Sequence, residues 1–181
     1  AAYLDDDVYV NMNTPWVEGY AQRNPGRIHI IGDLRDLVDQ PLSRLVAVGD
    51  ADQIFRLESN LLATFDSELH ITRSLPEFCE ILHPEGGKHK ALEWLCRKLG
   101  IEREETIAFG NGYNDVHMLE WAGLGVTVKG AVPEVLEVAD RVAPSFSNDG
   151  VARVLEELLS AGEIGGSNPT YQRDTRCGEP R

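Results

Sequence analysis

An α/β fold containing parallel strands is predicted by three stretches that follow one another. Thr106-Ile107-Ala108-Phe109 is a short β-forming run ending at Gly110-Asn111-Gly112, where glycine accepts the backbone angles of a tight loop. Val116, Leu119 and Ala122 then fall on one helical face, with Asn114 or Asp115 placed to cap the first turn. Leu124-Gly125-Val126-Thr127-Val128 is a second apolar run. Strand, loop, helix, strand is the order of a right-handed crossover between parallel strands.

The other elements follow in chain order. Tyr3-Leu4 and Val8-Tyr9-Val10 flank Asp5-Asp6-Asp7, and β-formers around an acidic turn predict a hairpin. Thr14 offers a hydroxyl cap and Pro15 a first helical residue, so a helix runs to Arg23, where Asn24-Pro25-Gly26 stops it. Residues 27–31 read as a strand, residues 34–38 as a short amphipathic helical turn, and Leu45-Val46-Ala47-Val48 as an apolar strand. The next helix turns Ile54, Leu57, Leu61 and Phe65 inward. Residues 69–73 and 78–82 are two further strands around Ser74-Leu75-Pro76.

His83-Pro84-Glu85-Gly86-Gly87 is a turn-rich hinge. A boundary there divides the chain into residues 1–83, residues 84–160, and a tail over 161–181 that lacks a periodic apolar face and is expected to be disordered. After the hinge, Leu92, Leu95, Cys96 and Leu99 recur at helical spacing and Gly100 supplies the stop. Residues 133–138 read as a helix, Arg141-Val142-Ala143 as a strand and Asn148-Asp149 as a cap. Val151, Val154, Leu155, Leu158 and Leu159 then form the apolar face of the last helix.

With 181 residues, 42% hydrophobic and 26% charged, the chain is long enough to bury a core. Its net charge of −13 argues against nucleic acid or an anionic membrane surface as a partner, so an anionic substrate needs a local positive spot. Cys79, Cys96 and Cys177 have no paired spacing, which suggests neither a disulfide framework nor a zinc site; a reduced, cytoplasmic setting is expected. Nothing resembles a signal peptide, and no apolar run approaches the roughly 18 residues of a spanning helix. Strand-like sequence begins directly after Ala1-Ala2, which predicts further chain upstream.

Ligands of open α/β sheets bind at the carboxyl ends of strands. There, after Phe109, stand the oxygen-bearing side chains of Asn111, Asn114 and Asp115, which beside a helix N-terminus suit a magnesium ion and a phosphate group. The same residues also read as a polar loop with a helix cap. Lys88 and Lys90 open the helix after the hinge, where the helix dipole slightly favours an anion over a cation, so Lys88 is either a solvated lysine, the commoner case, or one held by a contact. Asp5/Asp7 and Asp50/Asp52 have the spacing of a nucleophile and general acid, but the first pair reads as the hairpin turn and the second as a helix cap.

Three segments together resemble the haloacid dehalogenase (HAD) superfamily, in its Cof-type, sugar-phosphatase-like branch. Gly87-Lys88-His89-Lys90-Ala91-Leu92 is similar to its third motif, and Gly110-Asn111-Gly112-Tyr113-Asn114-Asp115-Val116-His117-Met118-Leu119 to its fourth. Asn148-Asp149-Gly150-Val151-Ala152 is similar to its closing signature. The resemblance implies the C-terminal part of a HAD-like, Rossmann-type parallel-sheet core, with residues 1–83 as an α/β cap domain. It implies that Lys88 neutralises an aspartyl nucleophile and the substrate phosphoryl group, and that Asn114 contacts phosphate. It further implies that Asn111 and Asp115 serve Mg2+, Asp115 through the metal's water shell or by holding Lys88. The chemistry implied is phosphoryl transfer to an aspartate, followed by hydrolysis of the aspartyl phosphate.

The chain also departs from the family pattern. The first motif, an apolar strand ending in Asp-x-Asp, and the second, with its phosphate-binding hydroxyl, have no counterpart in the sequence. Asn111 stands where the family usually has aspartate, and Gly130 where it usually has asparagine. Two functions follow. One is a magnesium-dependent phosphatase acting on a small phosphate ester, incomplete as this chain; the other is a non-catalytic phosphate-ligand-binding or interaction protein. A parallel sheet without its opening strand also predicts self-association.

Overall fold

The computed structural model describes residues 1–23 and 27–165. The expected stop at Asn24-Pro25-Gly26 and the tail beyond Gly165 lie outside these residues. β1 (Ala2–Leu4) and β2 (Asp7–Val10) form the expected hairpin, with Tyr3 opposite Val8. Asp5 in its turn has a left-handed φ of 52°, a conformation that Asp tolerates better than most residues. Thr14 caps α1 (Pro15–Arg23) as expected, its hydroxyl accepting the Val17 N–H at 3.3 Å. β3 (Ile28–Ile30), β4 (Arg44–Val48), α2 (Ala51–Phe65), β5 (His70–Leu75) and β6 (Phe78–Leu82) complete this half.

The six strands form one sheet in the order β3-β2-β1-β4-β6-β5, antiparallel except for β2 beside β3. Val8, Val10 and Val17 bury together under α1, while Ile54 of α2 packs on Ile71 and Cys79. Burial pushes the Cys79 thiol up to about 11. Residues 34–37 form the expected short helical turn, of 3-10 type, with Leu34 and Leu37 half-buried and Arg35 and Asp36 exposed. One expectation fails here: Phe65, the last residue of α2, is exposed rather than turned inward.

The second half is built as predicted around a parallel crossover. α3 (Lys88–Leu99) ends at Gly100, whose left-handed φ of 67° turns the next residue back so that the Ile101 N–H reaches the Cys96 carbonyl at 2.9 Å. β7 (Ile107–Gly110), α4 (Val116–Trp121), β8 (Leu124–Val128), α5 (Pro133–Val138), β9 (Arg141–Ala143) and α6 (Gly150–Ala161) follow, and the strands run parallel in the order β7-β8-β9. Ala108, Leu119, Ala122 and Val135 form one buried cluster; Val126, Ala143, Val154 and Leu158 form another. Each fully buried Leu or Val here is worth roughly 1.5–3 kcal/mol. α4 can lie this close to β8 because Gly125 has no side chain: a Cβ there would sit 2.6 Å from the Leu119 carbonyl oxygen.

Asn148-Asp149 does not cap α6 as expected. Asp149 has a φ of 55°, whereas a capping side chain needs extended backbone, and it makes no capping hydrogen bond. Gly150 explains the turn, since a Cβ there would lie 1.9 Å from the Pro144 carbonyl oxygen.

Much of the predicted apolar surface remains open. Leu95 and Leu99 on α3 are 45% and 48% exposed, and Leu159 on α6 is 58% exposed. Among the described residues β7 has β8 on one side and no strand on the other. An unpaired edge beside apolar helix faces favours association. The chain is therefore expected to self-associate at micromolar concentration in sedimentation velocity, and a clean monomer would contradict this. No described helix is long and apolar enough to cross a membrane.

Candidate active site

The carboxyl end of β7 carries the site. Thr127, fully buried on β8, donates its hydroxyl to the Gly110 carbonyl at 2.8 Å and anchors the strand end. The chain then turns through a 3-10 turn at Tyr113–Asp115, and the Asp115 carboxylate folds back under it. Asp115 Oδ2 accepts the N–H groups of Asn111 at 2.8 Å and Gly112 at 3.0 Å. This corrects the expected cap: Asp115 satisfies the loop before it and makes no side-chain bond to the first turn of α4. Gly110 makes that possible, because a Cβ at this position would lie 2.4 Å from the Asp115 Cβ.

Asp115 Oδ1 accepts a hydrogen bond from Lys88 Nζ, which also donates to Asn114 Oδ1 at 3.4 Å. A carboxylate with a side chain 6% exposed thus explains the lysine at an unfavourable helix start, and the Lys88 side chain itself stays 48% exposed. Burial works to raise the Asp115 carboxyl, but the Lys88 hydrogen bond, the N–H groups of Gly112 and Asn111 and the Lys88 charge outweigh it. They hold the carboxyl below its usual range.

Lys88, Asn114 and Asp115 therefore meet in one place. Asn111 adjoins them through its backbone, while its side chain is exposed. Lys90 does not join them; it lies 3.8 Å from Glu85 and 3.7 Å from Glu93. The two Asp pairs are engaged elsewhere: Asp7 contacts His29 at 2.9 Å, and Asp50 Oδ1 accepts the Asp52 N–H at 3.0 Å as the expected cap.

Two features around the site were not foreseen from sequence. Arg73 of β5 donates to Glu58 Oε2 at 2.6 Å, approaches Glu134 at 3.6 Å and stacks 4.0 Å over the Tyr113 ring. His70, His89 and His117 come together from β5, α3 and α4. Burial, then the neighbouring imidazoles His89 and His117, lower His70; burial, His117 and Lys90 lower His89. Residues so far apart carry no spacing signal. A cavity of about 680 Å3 lies well away, between α1 and β4, and is lined by Trp16, Val17, Val46 and Val48.

A lysine-clamped aspartate and an asparagine thus stand together at the carboxyl end of a parallel strand in an α/β fold. A sequence model of the haloacid dehalogenase-like hydrolases matches residues 1–155, and the chain belongs to that family.

Among curated relatives, the 5-amino-6-(5-phospho-D-ribitylamino)uracil phosphatase YitU of Bacillus subtilis is 28% identical over 161 residues, 88% of this chain and 59% of its own length. The HMP-PP phosphatase of Cronobacter sakazakii is 35% identical over 104 residues, 58% of this chain and 38% of its own. The crystal structure of a haloacid dehalogenase-like hydrolase from Bacteroides thetaiotaomicron superposes with a TM-score of 0.65 at 31% identity, covering 87% of this chain and 59% of that one. The chain spans about half the length of the curated relatives it matches.

Proposed function

We propose that this chain is the cap and C-terminal core of a phosphatase acting on a small phosphorylated metabolite such as a sugar phosphate, in a cytoplasmic setting. In this reading residues 1–83 form the cap and residues 84–160 the core portion. The observation that carries it is the Lys88–Asp115 pair with Asn114 beside it. Asp115 holds the ammonium at the strand end, where its remaining hydrogens face a phosphoryl group. Asn114 turns its carbonyl to Lys88, which leaves its NH2 to donate to a phosphoryl oxygen. Charge developing on the transferred group is stabilised by these fixed donors. The relatives' names support a phosphate monoester or diphosphate of modest size as the substrate class.

The family resemblance adds magnesium, and the donor set here fits it only in part. Asp115 already accepts from Lys88 and two backbone N–H groups, so Asn111 offers a single neutral amide oxygen. Magnesium prefers one or two carboxylates with water and phosphate oxygens. These residues do not close a magnesium site, and the nucleophilic carboxylate has no candidate among the described residues near Lys88. The alternative, a phosphate binder without turnover, draws on the same observation.

Phosphate release from a panel of phosphate esters with magnesium separates the two readings. A form carrying the family's Asp-x-Asp strand upstream of Ala1 is expected to turn over at least one ester. The chain alone is expected to broaden the 31P resonance of a bound sugar phosphate without turnover. Lack of turnover across the panel by the longer form overturns the phosphatase reading.

A further inference from the structure

In the middle of the first sheet, β1 stops short of the strands on either side of it. Its register sets Ala2 opposite Tyr9 of β2 and opposite Leu45 of β4. Ala1 carries the ladder one residue further: it donates to the Val46 carbonyl and accepts the Val46 N–H, both at 2.8 Å. Beyond that point β4 runs on through Ala47 and Val48, and the chain after β2 runs on through Asn11 and Met12. Neighbouring strands stand about 4.8 Å apart, so β2 and β4 are held here with room for one strand between them. The cavity of about 680 Å3 occupies that interval, with Ala1, Val10 and Asn11 at one wall, Val46 and Val48 at the other, and Trp16 of α1 over it.

The backbone of both walls faces inward. Successive residues of a strand direct their N–H and C=O groups to opposite neighbours. Val46 exchanges both its bonds with Ala1, and the Gly49 N–H is turned away to the Glu77 carbonyl beside β6, so the alternation turns Val48 into the cavity. On the other wall Val8 donates to the Arg27 carbonyl and Val10 accepts the Ile31 N–H, both on the β3 side, so the alternation turns Asn11 inward. Two walls that each offer a donor and an acceptor, one strand apart, make a recognition surface for extended polypeptide. Side-chain alternation fixes the faces as well. Ala1 packs with Val8, Val10 and Val17 under α1, while Ala47 packs with Ile54, Ile71 and Cys79 under α2. A segment continuing β1 therefore turns the residue next to Ala1 toward the α2 side and the one before it toward Trp16, beside the exposed Val48.

We propose that this slot between β2 and β4 binds an extended segment continuous with β1, the two residues directly upstream of Ala1 in a longer form of the protein, the second of them apolar. A strand from another molecule has to stop against the Ala1 ammonium, which burial already pulls below its usual range. Continuous chain replaces that charge with an amide that keeps the bond to Val46. The YitU phosphatase, of which this chain covers 59%, has the additional length that such a segment needs. The inference concerns the first sheet and does not depend on the phosphatase reading.

Amide hydrogen exchange, followed by 15N NMR, compares the chain with a form carrying Val-Thr directly before Ala1. The extension is expected to slow exchange at Asn11 and Val48 about tenfold more than at Ala47, whose N–H faces β6. An Asp-Gly extension has the same length but turns a carboxylate toward Trp16, and is expected to slow neither. No slowing with Val-Thr, or equal slowing with Asp-Gly, overturns the proposal. So does protection of Asn11 and Val48 in the chain alone, whether lost on dilution, as for a strand from a second copy, or kept, as for another segment of the same chain. No phosphate ester enters the readout, so its outcome is independent of the function proposed above.

Discussion

Gly110→Ala is expected to destabilise the chain by about 3 kcal/mol in urea unfolding, at the upper end of the cost of overpacking. The added methyl would stand 2.4 Å from the Asp115 Cβ and 2.8 Å from its Cγ, and neither neighbour is the free end of a flexible side chain. The loop must move, and with it the carboxylate that holds the Asn111 and Gly112 N–H groups and Lys88. The substitution should therefore also abolish broadening of a sugar phosphate's 31P resonance. Gly130→Ala, where a Cβ meets nothing within 4 Å, is the comparison: its φ of 95° makes it strained, but it should leave phosphate binding in place. Equal effects of the two on binding would contradict the role given to Gly110.

The second large effect is expected from Lys88→Met. It removes the cation from a buried carboxylate that is still bound to two N–H groups. Breaking a fully buried pair costs about 3–5 kcal/mol. Here the lysine end is half exposed and solvent-screened, so about 2 kcal/mol is expected.

The sign with pH follows from the lowered Asp115 carboxyl. Its contribution is present above the unfolded value, near 3.9, and is lost as pH falls through the folded one. Lys88→Met removes the lysine's share of that lowering and leaves that of the two N–H groups, so its acid unfolding should begin at higher pH than the parent's. Identical acid midpoints would remove the ion pair from the stability of the fold. In a form of the protein that turns over phosphate esters, the same substitution should lower kcat by about a thousandfold.

The parallel crossover was legible because each of its parts carries a local signal: β-forming residues before Gly110, helical spacing through Val116, Leu119 and Ala122, and a second apolar run at 124–128. Thr14-Pro15 and Gly100 were legible for the same reason. The direction in which Asp115 points was not. A residue that can cap forward can also fold back, and only the crowding at Gly110 decides between the two. Asp149 shows the same ambiguity, settled by the contact of Gly150 with Pro144. The strand order of the first sheet rests on β4 reaching β1 and β6 across the chain, which no local pattern encodes. Exposure at Phe65, Leu95 and Leu99 depends on what covers a helix, whereas periodicity reports only which side is apolar. Lys88 was picked out because it stands against the helix dipole, but whether it was solvated or paired was not legible, and its partner is the buried Asp115 carboxylate.

Arg73 gives the two halves a mechanical relation. The backbone crosses from one sheet to the other once, through residues 83–87, and a guanidinium on β5 rests on the ring of Tyr113 while reaching Glu134 on α5. Tyr113 directly precedes Asn114. The loop beside Lys88 is thus held from outside its own sheet, by a guanidinium on a strand of the other sheet, whose strands contribute no side chain to the Lys88–Asp115 pair.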